Sequence, residues 1–406
     1  MGLHGGWKML EEISPEALSA GVVARLPTDT SCVVVQDTLV RLQRACARAK
    51  KQRATASGGV WRRLALDLVL EPLRTLRANA LVLVADKPAL VTPLKHATQQ
   101  KRRARSAAPE LPAGVSVAAD EGLLDAGGQP LPNAFVEDLI GSRHCRPLLL
   151  RHVQDILLNN APAIVAALKA QGRPGSRLVL DLGFGVHSLA PDDGGDWAWR
   201  AGPEEPVAEG EADLGVFRWI QRWHGRCAGW HYVADTIDTD FLVLGLMVAN
   251  AQSGLELFVN FQQKFLLHVN PVLNAVCKNP GGLAAFLRAL CLHGTDFLDK
   301  SAVCPSVHCR SLLAVQEDRA RTSLSLTTKE FVHDICAAYI HKSRKSVPAE
   351  SKLSTEWLHE QTKYLNKRLP ALATLERSAE TYNLQIQYWS SVLEPEPPAQ
   401  KKRRLR

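Results

Sequence analysis

The chain has 406 residues, of which 46% are hydrophobic and 22% are charged. This balance excludes a disordered chain and favours a globular protein with one large core, or with a core and a helical extension. The formal net charge of +8 favours a polyanionic partner, although the charge is small for this length. Nine cysteines without a CxxC pair favour a reduced, intracellular protein that lacks a disulfide framework.

Short apolar runs along the chain predict buried strands of a parallel sheet. The predicted strands are residues 32–35, 81–85, 178–180 and 231–234. The predicted helices between them are residues 39–51, 61–78, 146–171 and 214–223. Strands that alternate with helices are typical of an α/β fold, with a mostly parallel central sheet flanked by helices.

Two stretches rich in Ala, Gly, Pro and charge, 104–132 and 190–206, predict exposed loops or a partly ordered insertion. After Ser301 the pattern becomes helical and predicts helices over 328–345 and 356–393. The second of these breaks near Pro370, because proline cannot continue a helix interior.

Aspartates follow three of the predicted strands. Asp37 follows the run VVVQ, Asp86 follows LVLVA, and both Asp238 and Asp240 follow HYVADTI. Ligands gather at the carboxyl ends of strands in parallel α/β sheets, so these four side chains are expected at one edge. Three further acids fall at helix ends: Glu209, Glu211 and Asp296.

Such a set of carboxylates is suited to phosphodiester cleavage, which needs an activated water and a stabilised leaving oxygen. Two hard cations, Mg²⁺ or Mn²⁺, serve both needs and prefer oxygen ligands. Carboxylates brought together would repel one another unless cations neutralised them. A single aspartate after a strand is commonly a helix N-cap instead, so the prediction depends on the joint pattern.

With these flanking residues, the chain resembles the 5′ nuclease superfamily, which includes flap endonucleases and Xrn-type 5′→3′ exoribonucleases. The start MGLHGGWKMLEEISPEAL is similar to the flap-endonuclease opening, and DTDFLVLGL is closer to the Xrn type. VVVQD, LVLVADKP, EGEAD and HGTDFL resemble the remaining acidic elements. The resemblance covers roughly residues 1–300 and implies a PIN-like nuclease core.

The resemblance assigns metal binding and catalysis to all seven acids. It divides them between two ions. One ion would be held by Asp37, Asp86, Glu209, Glu211 and Asp296, and the other by Asp238 and Asp240.

A basic set follows the second strand. Lys95, Gln99, Arg102 and Arg103 have the spacing i, i+4, i+7 and i+8, which places them on one face of a helix. Xrn-type enzymes carry a Lys-Gln-Arg-Arg set with this spacing that binds the 5′ phosphate. The other interpretation is a solvated basic helix face.

Two departures from the family remain. After Asp296 the chain reads LDKSAVCPSVHCRS and lacks the Gly-rich element with which flap endonucleases grip duplex DNA. It also has no clear counterpart of the long Xrn-type C-terminal segments. The resemblance, together with composition and helical pattern, predicts an N-terminal part of the nuclease core (1–103), an insertion or flexible loop (104–145), an internal part of the core (146–300), a helical C-terminal extension (301–393) and a basic, Pro-rich tail (394–406).

The expected function is divalent-metal-dependent hydrolysis from the 5′ end of single-stranded nucleic acid, with RNA ahead of DNA. The alternatives are a structure-specific DNA flap endonuclease and a non-catalytic nucleic-acid-binding homologue. No membrane partner is expected, because the longest apolar run, 241–249, is about half of a membrane span. The tail KKRRLR is typical of a nuclear-localisation or nucleic-acid-binding patch, and equally of a solvated charged terminus.

Overall fold

The structure is a computed structural model, and it describes the central sheet together with helices on both of its faces. The described residues are 10–11, 15–23, 25–27, 30–51, 58–86, 116–118, 122–125, 127–129, 146–172, 175–202, 211–227, 229–236, 240–261, 265–293, 295, 298, 309–319, 321–342, 354–356, 359–360 and 370–394.

The strands follow one another with helices between most of them. In chain order they are β1 (Val22–Val23), β2 (Cys32–Asp37), β3 (Ala80–Val84), β4 (Ser116–Ala118), β5 (Gly122–Leu124), β6 (Arg177–Asp181), β7 (Val186–Pro191), β8 (Trp197–Ala201), β9 (His231–Thr236), β10 (Glu256–Phe261) and β11 (Phe265–His268).

The helices that the structure describes form two layers. In chain order they are α1 (Pro15–Gly21), α2 (Thr38–Lys51), α3 (Gly58–Leu76), α4 (Arg146–Asn159), α5 (Ala161–Ala170), α6 (Ala212–His224), α7 (Asp240–Ala251), α8 (Val269–Lys278), α9 (Gly282–His293), α10 (Cys309–Asp318), α11 (Thr328–Lys342) and α12 (Leu372–Ser390).

Nine of the described strands form one sheet, in the order β1-β11-β10-β9-β2-β3-β6-β7-β8. Its five central strands, from β10 to β6, are parallel to their neighbours. The outer strands pair antiparallel on both sides, and β4 and β5 form a separate antiparallel pair. The predicted α/β class is confirmed, and the parallel arrangement holds for the centre of a sheet that is mixed as a whole.

The central strands are buried on both faces, which explains their unbroken apolar runs. On β2, Val33 and Val35 pack against the layer formed by α6 to α12, which we call the C-terminal helical layer. Cys32 and Val34 point the other way, into the layer formed by α2 to α5, the N-terminal helical layer. This alternation decides which acids at the end of a strand share a face.

Two predictions about local structure are wrong. The stretch 190–206, predicted as a loop, contains the end of β7 and all of β8, because Trp197 and Trp199 pack onto the N-terminal helical layer. Only the Asp- and Gly-rich residues 192–196 form the turn between them. The helix predicted over 146–171 is two helices, α4 and α5. They separate at Asn160, with Pro162 in the first turn of α5, where its missing N–H is tolerated.

The helices after residue 300 belong to the same buried core as the sheet. On α12, the Tyr382 hydroxyl donates to the Leu324 carbonyl oxygen at 2.7 Å. The Asn383 amide donates to the Leu326 carbonyl at 2.7 Å and accepts its N–H at 3.0 Å. These bonds fix α12 on the segment before α11, and thereby fix the direction of the side chains further along α12.

The strand order reverses at one place in the sheet. From β2 the chain proceeds to β3 and β6 on one side, and later returns to β9 and β10 on the other side of β2. A crevice forms beyond the carboxyl ends of two parallel strands where the order reverses in this way. Here those ends are Asp37 on β2 and Thr236 on β9. Over the described part of the chain, no helix combines the length and apolar character needed to cross a membrane.

Candidate functional site

Asp37 is the last residue of β2 and lies at the reversal point. It shares the face of Val33 and Val35, so it points towards the C-terminal helical layer, and only 7% of it is exposed. One carboxylate oxygen accepts the Val40 N–H at 3.3 Å, which is the bond of a helix N-cap. The capping role expected of a lone aspartate is therefore present, at the position where the sequence predicts a metal ligand.

Asp86 follows β3, the neighbour of β2, and connects three elements. Its Oδ1 accepts the backbone N–H of Ala212, at the start of α6, at 2.9 Å. Its Oδ2 accepts a hydrogen bond from Nη1 of Arg146, at the start of α4, at 3.3 Å. The two oxygens thus have different partners, a backbone amide and a guanidinium.

The start of α6 brings two more buried carboxylates to this edge. Glu211 precedes the helix in extended conformation and makes no capping bond to it; the Asp86 carboxylate instead accepts the first N–H of the helix. Glu211 and Asp213 are 7% and 8% exposed. Sequence analysis missed Asp213, because an acid in the first turn of a helix is ordinarily explained by the helix dipole.

Asp240 is the first residue of α7, shortly after β9, and is 4% exposed. Asp240 affects the buried thiol of Cys291 on α9. Burial is the larger cause that raises the pKa of Cys291 well above its ordinary value, and the charge of Asp240 adds to the rise. The thiol therefore stays protonated at neutral pH. Asp240 thus lies close to α9, on the C-terminal helical layer's side of the sheet.

Tyr388 of α12 reaches into this group of acids. Its hydroxyl donates to Oε2 of Glu211 at 2.9 Å, across 177 residues of sequence. Burial raises the pKa of Tyr388 well above its ordinary value, and Asp213, Asp240 and Asp86 add to the rise. A carboxylate-rich surrounding disfavours a second anion, so the phenol remains a neutral hydrogen-bond donor.

Four carboxylates from three parts of the chain act on the Tyr388 phenol or bond to it: Asp86, Glu211, Asp213 and Asp240. We call them the acidic group. Asp37 lies on the strand next to β3, where its Cα is paired with that of Val84. The structure therefore brings four of the seven predicted acids to one edge, together with Asp213 and Tyr388.

Two other acids at the ends of strands have structural partners. Asp181, the last residue of β6, accepts the indole N–H of Trp219 at 2.9 Å. Asp235 on β9 points into the opposite face, where the Arg41 guanidinium binds it and the Asn260 amide donates to it at 2.8 Å. Burial raises the pKa of Asp235, while Arg41 and Asn260 oppose that rise.

The remaining predicted site residues lie outside the described residues. They are the acids Glu209, Asp238 and Asp296 and the basic set Lys95, Gln99, Arg102 and Arg103. Among the residues that the structure describes, no three His, Cys, Asp or Glu side chains converge closely enough to hold a metal ion. The acidic group by itself therefore does not form a metal site.

The donor set nevertheless has the chemistry of a hard-cation site. Its members are all carboxylates, the ligands that Mg²⁺ and Mn²⁺ prefer, and Mg²⁺ commonly uses one or two of them together with waters. Glu211, Asp213 and Asp240 are buried, and a divalent cation would relieve the repulsion between carboxylates brought close together. The ligand type thus suits an oxygen-ligated metal, and a complete site would need ligands from outside the described residues.

Comparisons of the chain with models of known protein families and with curated proteins returned no match.

Proposed function

We propose that this chain is a divalent-metal-dependent 5′ nuclease with a PIN-like core, which hydrolyses single-stranded nucleic acid from its 5′ end. One observation carries the proposal. Carboxylates from four separate places, namely the end of β2, the residues after β3, the start of α6 and the start of α7, lie at the edge where the strand order reverses. That edge is where sheets of this type bind their ligands.

The chemistry of these residues supports hydrolysis of a phosphodiester. Two bound cations, Mg²⁺ or Mn²⁺, would supply activation of the attacking water and stabilisation of the leaving oxygen. The chain's own residues hold the ligands in place: the Ala212 N–H orients Asp86, and the Tyr388 hydroxyl orients Glu211. Glu209, Asp238 and Asp296 complete the proposed ligand set from the sequence.

Recognition of the 5′ end is assigned in this proposal to Lys95, Gln99, Arg102 and Arg103. A terminal phosphate carries more charge than an internal one, so a cluster of cations would favour 5′-monophosphate ends. Arg102→Ala is expected to slow cleavage of 5′-monophosphate substrate by roughly ten- to a hundredfold and to spare 5′-hydroxyl substrate. An equal loss on both substrates, growing with salt, would instead indicate a solvated basic face.

An activity panel on the full chain tests the proposal. Single-stranded RNA, single-stranded DNA and flap DNA, each labelled at the 5′ end, are incubated with Mg²⁺, with Mn²⁺ or with EDTA. Short products released from the 5′ end, only with a metal, are expected. Cleavage confined to the flap junction would identify a flap endonuclease, and binding without cleavage would identify a non-catalytic homologue.

Substitutions of the described acids test whether the proposed active site lies at this edge of the sheet. Asp86→Asn and Asp240→Asn each remove one proposed ligand with little change in shape, and turnover is expected to fall by at least about a hundredfold. Asp193→Asn removes one charge from the exposed turn between β7 and β8 and serves as the matched control. Wild-type rates in both site variants would show that this edge is not the active site.

A further inference from the structure

A small cleft lies between α2 and α3, on the side of the sheet that the N-terminal helical layer covers. Its polar lining consists of Gln36 from β2, Arg41 from α2, and Asp67 and Glu71 from α3. The cleft leaves room of about 10 Å³ for the centre of a water-sized group, which is enough for roughly one oxygen atom. Its size therefore suits a single small polar group.

Gln36 brings a buried amide to this cleft. The side chain is 0% exposed, and among the described residues neither its Oε1 nor its Nε2 has a hydrogen-bond partner. Buried amides are nearly always hydrogen-bonded in folded proteins, because an amide that is desolvated and unpaired is costly. The amide thus calls for a hydrogen-bonding group in the cleft beside it.

Arg41 supplies a second group that can bond to an occupant. Its Nε donates to Oδ2 of Asp235 at 2.7 Å, and its Nη2 binds the same oxygen. Its Nη1 is also buried, and it has no hydrogen-bond partner within the part of the chain that the structure describes. The ion pair therefore holds the guanidinium in place and leaves one nitrogen to donate to a group in the cleft.

The charges around the cleft disfavour an ionic occupant. An anion would meet the carboxylates of Asp67 and Glu71, which have other interactions of their own and act here only through their charge. A cation would meet the guanidinium of Arg41. A neutral hydroxyl both donates and accepts hydrogen bonds, and so matches an amide beside a guanidinium N–H.

We infer that this cleft is a binding site for one neutral hydroxyl group, which bonds to the Gln36 amide and accepts from Nη1 of Arg41. Two sources share this chemistry, a water molecule and a hydroxyl of a small polyol such as a ribose. The inference goes beyond the proposed nuclease and does not depend on it, since it involves neither the acidic group nor a metal.

The experiment uses the purified, isotope-labelled full chain and two variants. Gln36→Met removes the amide and keeps an unbranched side chain. Gln154→Met makes the same change at a buried glutamine of α4, whose Oε1 also lacks a partner among the described residues, and serves as the matched control. High-resolution crystal structures, from crystals grown without polyols, locate ordered oxygen atoms. In solution, the side-chain amide signals of Gln36 are followed during titration with D-ribose.

An ordered oxygen within hydrogen-bond distance of both Gln36 and Arg41 is expected in the wild type and in Gln154→Met, and its loss is expected in Gln36→Met. A shift of the Gln36 signals with D-ribose would identify a polyol hydroxyl as the occupant. The oxygen without such a shift would identify water. A wild-type chain with neither the oxygen nor the shift would overturn the inference, and so would an oxygen that persists in Gln36→Met. The wild-type measurements decide the question even where Gln36→Met fails to fold.

Discussion

Gly215 on α6 lies so close to Val84 on β3 that a Cβ atom built on Gly215 would be 2.9 Å from Cγ1 of Val84. Real Cβ atoms essentially never approach another atom this closely. The absence of a side chain at this position lets the first turn of α6 pack directly onto the end of β3. That packing brings Glu211 and Asp213 next to Asp86.

Gly215→Ala is therefore expected to destabilise the protein, although alanine is the better helix former by about 1 kcal/mol. Overpacking of this kind costs about 1–3 kcal/mol, and displacement of α6 is also expected to lower the proposed metal-dependent activity. Gly245→Ala on α7 is the control, since its Cβ would have contacts of 3.5–3.6 Å. Urea unfolding measures the difference, and rescue by a second change, Val84→Ala, would confirm its cause.

Tyr388→Phe removes the hydrogen bond to Glu211 with little change in shape. The expected result is a folded protein whose Mn²⁺ affinity falls about fivefold, the equivalent of a hydrogen bond worth about 1 kcal/mol. Tyr382→Phe on the same helix loses a bond to the Leu324 carbonyl instead, and is expected to lower stability without changing metal affinity. Equal metal binding in the two variants would exclude a role of Tyr388 in positioning Glu211.

The buried pair of Arg41 and Asp235 gives a prediction for stability alone. Their side chains are 5% and 1% exposed, so Arg41→Met leaves a buried carboxylate without its cation, and a loss of about 3–5 kcal/mol is expected. Adding Asp235→Asn removes that charge and is expected to recover most of the loss. A double-mutant cycle, measured by urea unfolding, gives the coupling energy between Arg41 and Asp235. Simple additivity of the two changes would contradict the prediction.

His152 gives a prediction for pH dependence. Burial lowers the pKa of His152, and Asp155 opposes the effect; the ring packs edge-on against Trp61, with centroids 6.3 Å apart. Because the unfolded chain takes up this proton more readily, stability is lost as the pH falls from about 6.5 towards the lower folded value.

His152→Leu is expected to flatten the acid side of the stability curve, by at most about 1.4 kcal/mol per pH unit. Thermal unfolding between pH 7.5 and pH 5 measures the effect. His341→Leu removes an exposed histidine of α11 and should leave the curve of the wild type unchanged. A curve for His152→Leu parallel to the wild type would show that His152 does not titrate in this range.

The central strands could be predicted from the sequence because burial on both faces requires continuous apolar runs, as in β2 and β3. The outer strands could not. In β8 the residues of WAWRA alternate between partly buried and exposed positions, and the preceding Asp and Gly residues resemble a longer loop. Strands β10 and β11 were also missed, since short apolar runs fit strands and helices equally well.

The residues of the candidate site also differ in whether the sequence could predict them. Asp37 and Asp86 could be predicted because each directly follows an apolar run, and Glu211 because it precedes a helix. Tyr388 and Arg146 could not, because their contacts with Glu211 and Asp86 join residues 177 and 60 positions apart. Nothing next to either residue in the sequence indicates its partner; only the tertiary fold does.

The hydrogen bond between Tyr388 and Glu211 also sets an order of events during protein synthesis. A growing polypeptide contains Asp37, Asp86, Glu211 and Asp240 long before α12 leaves the ribosome. Until then Glu211 cannot accept the hydrogen bond from the Tyr388 hydroxyl. Under the proposed nuclease function, the chain would therefore acquire a fully positioned Glu211 only after translation had passed residue 388.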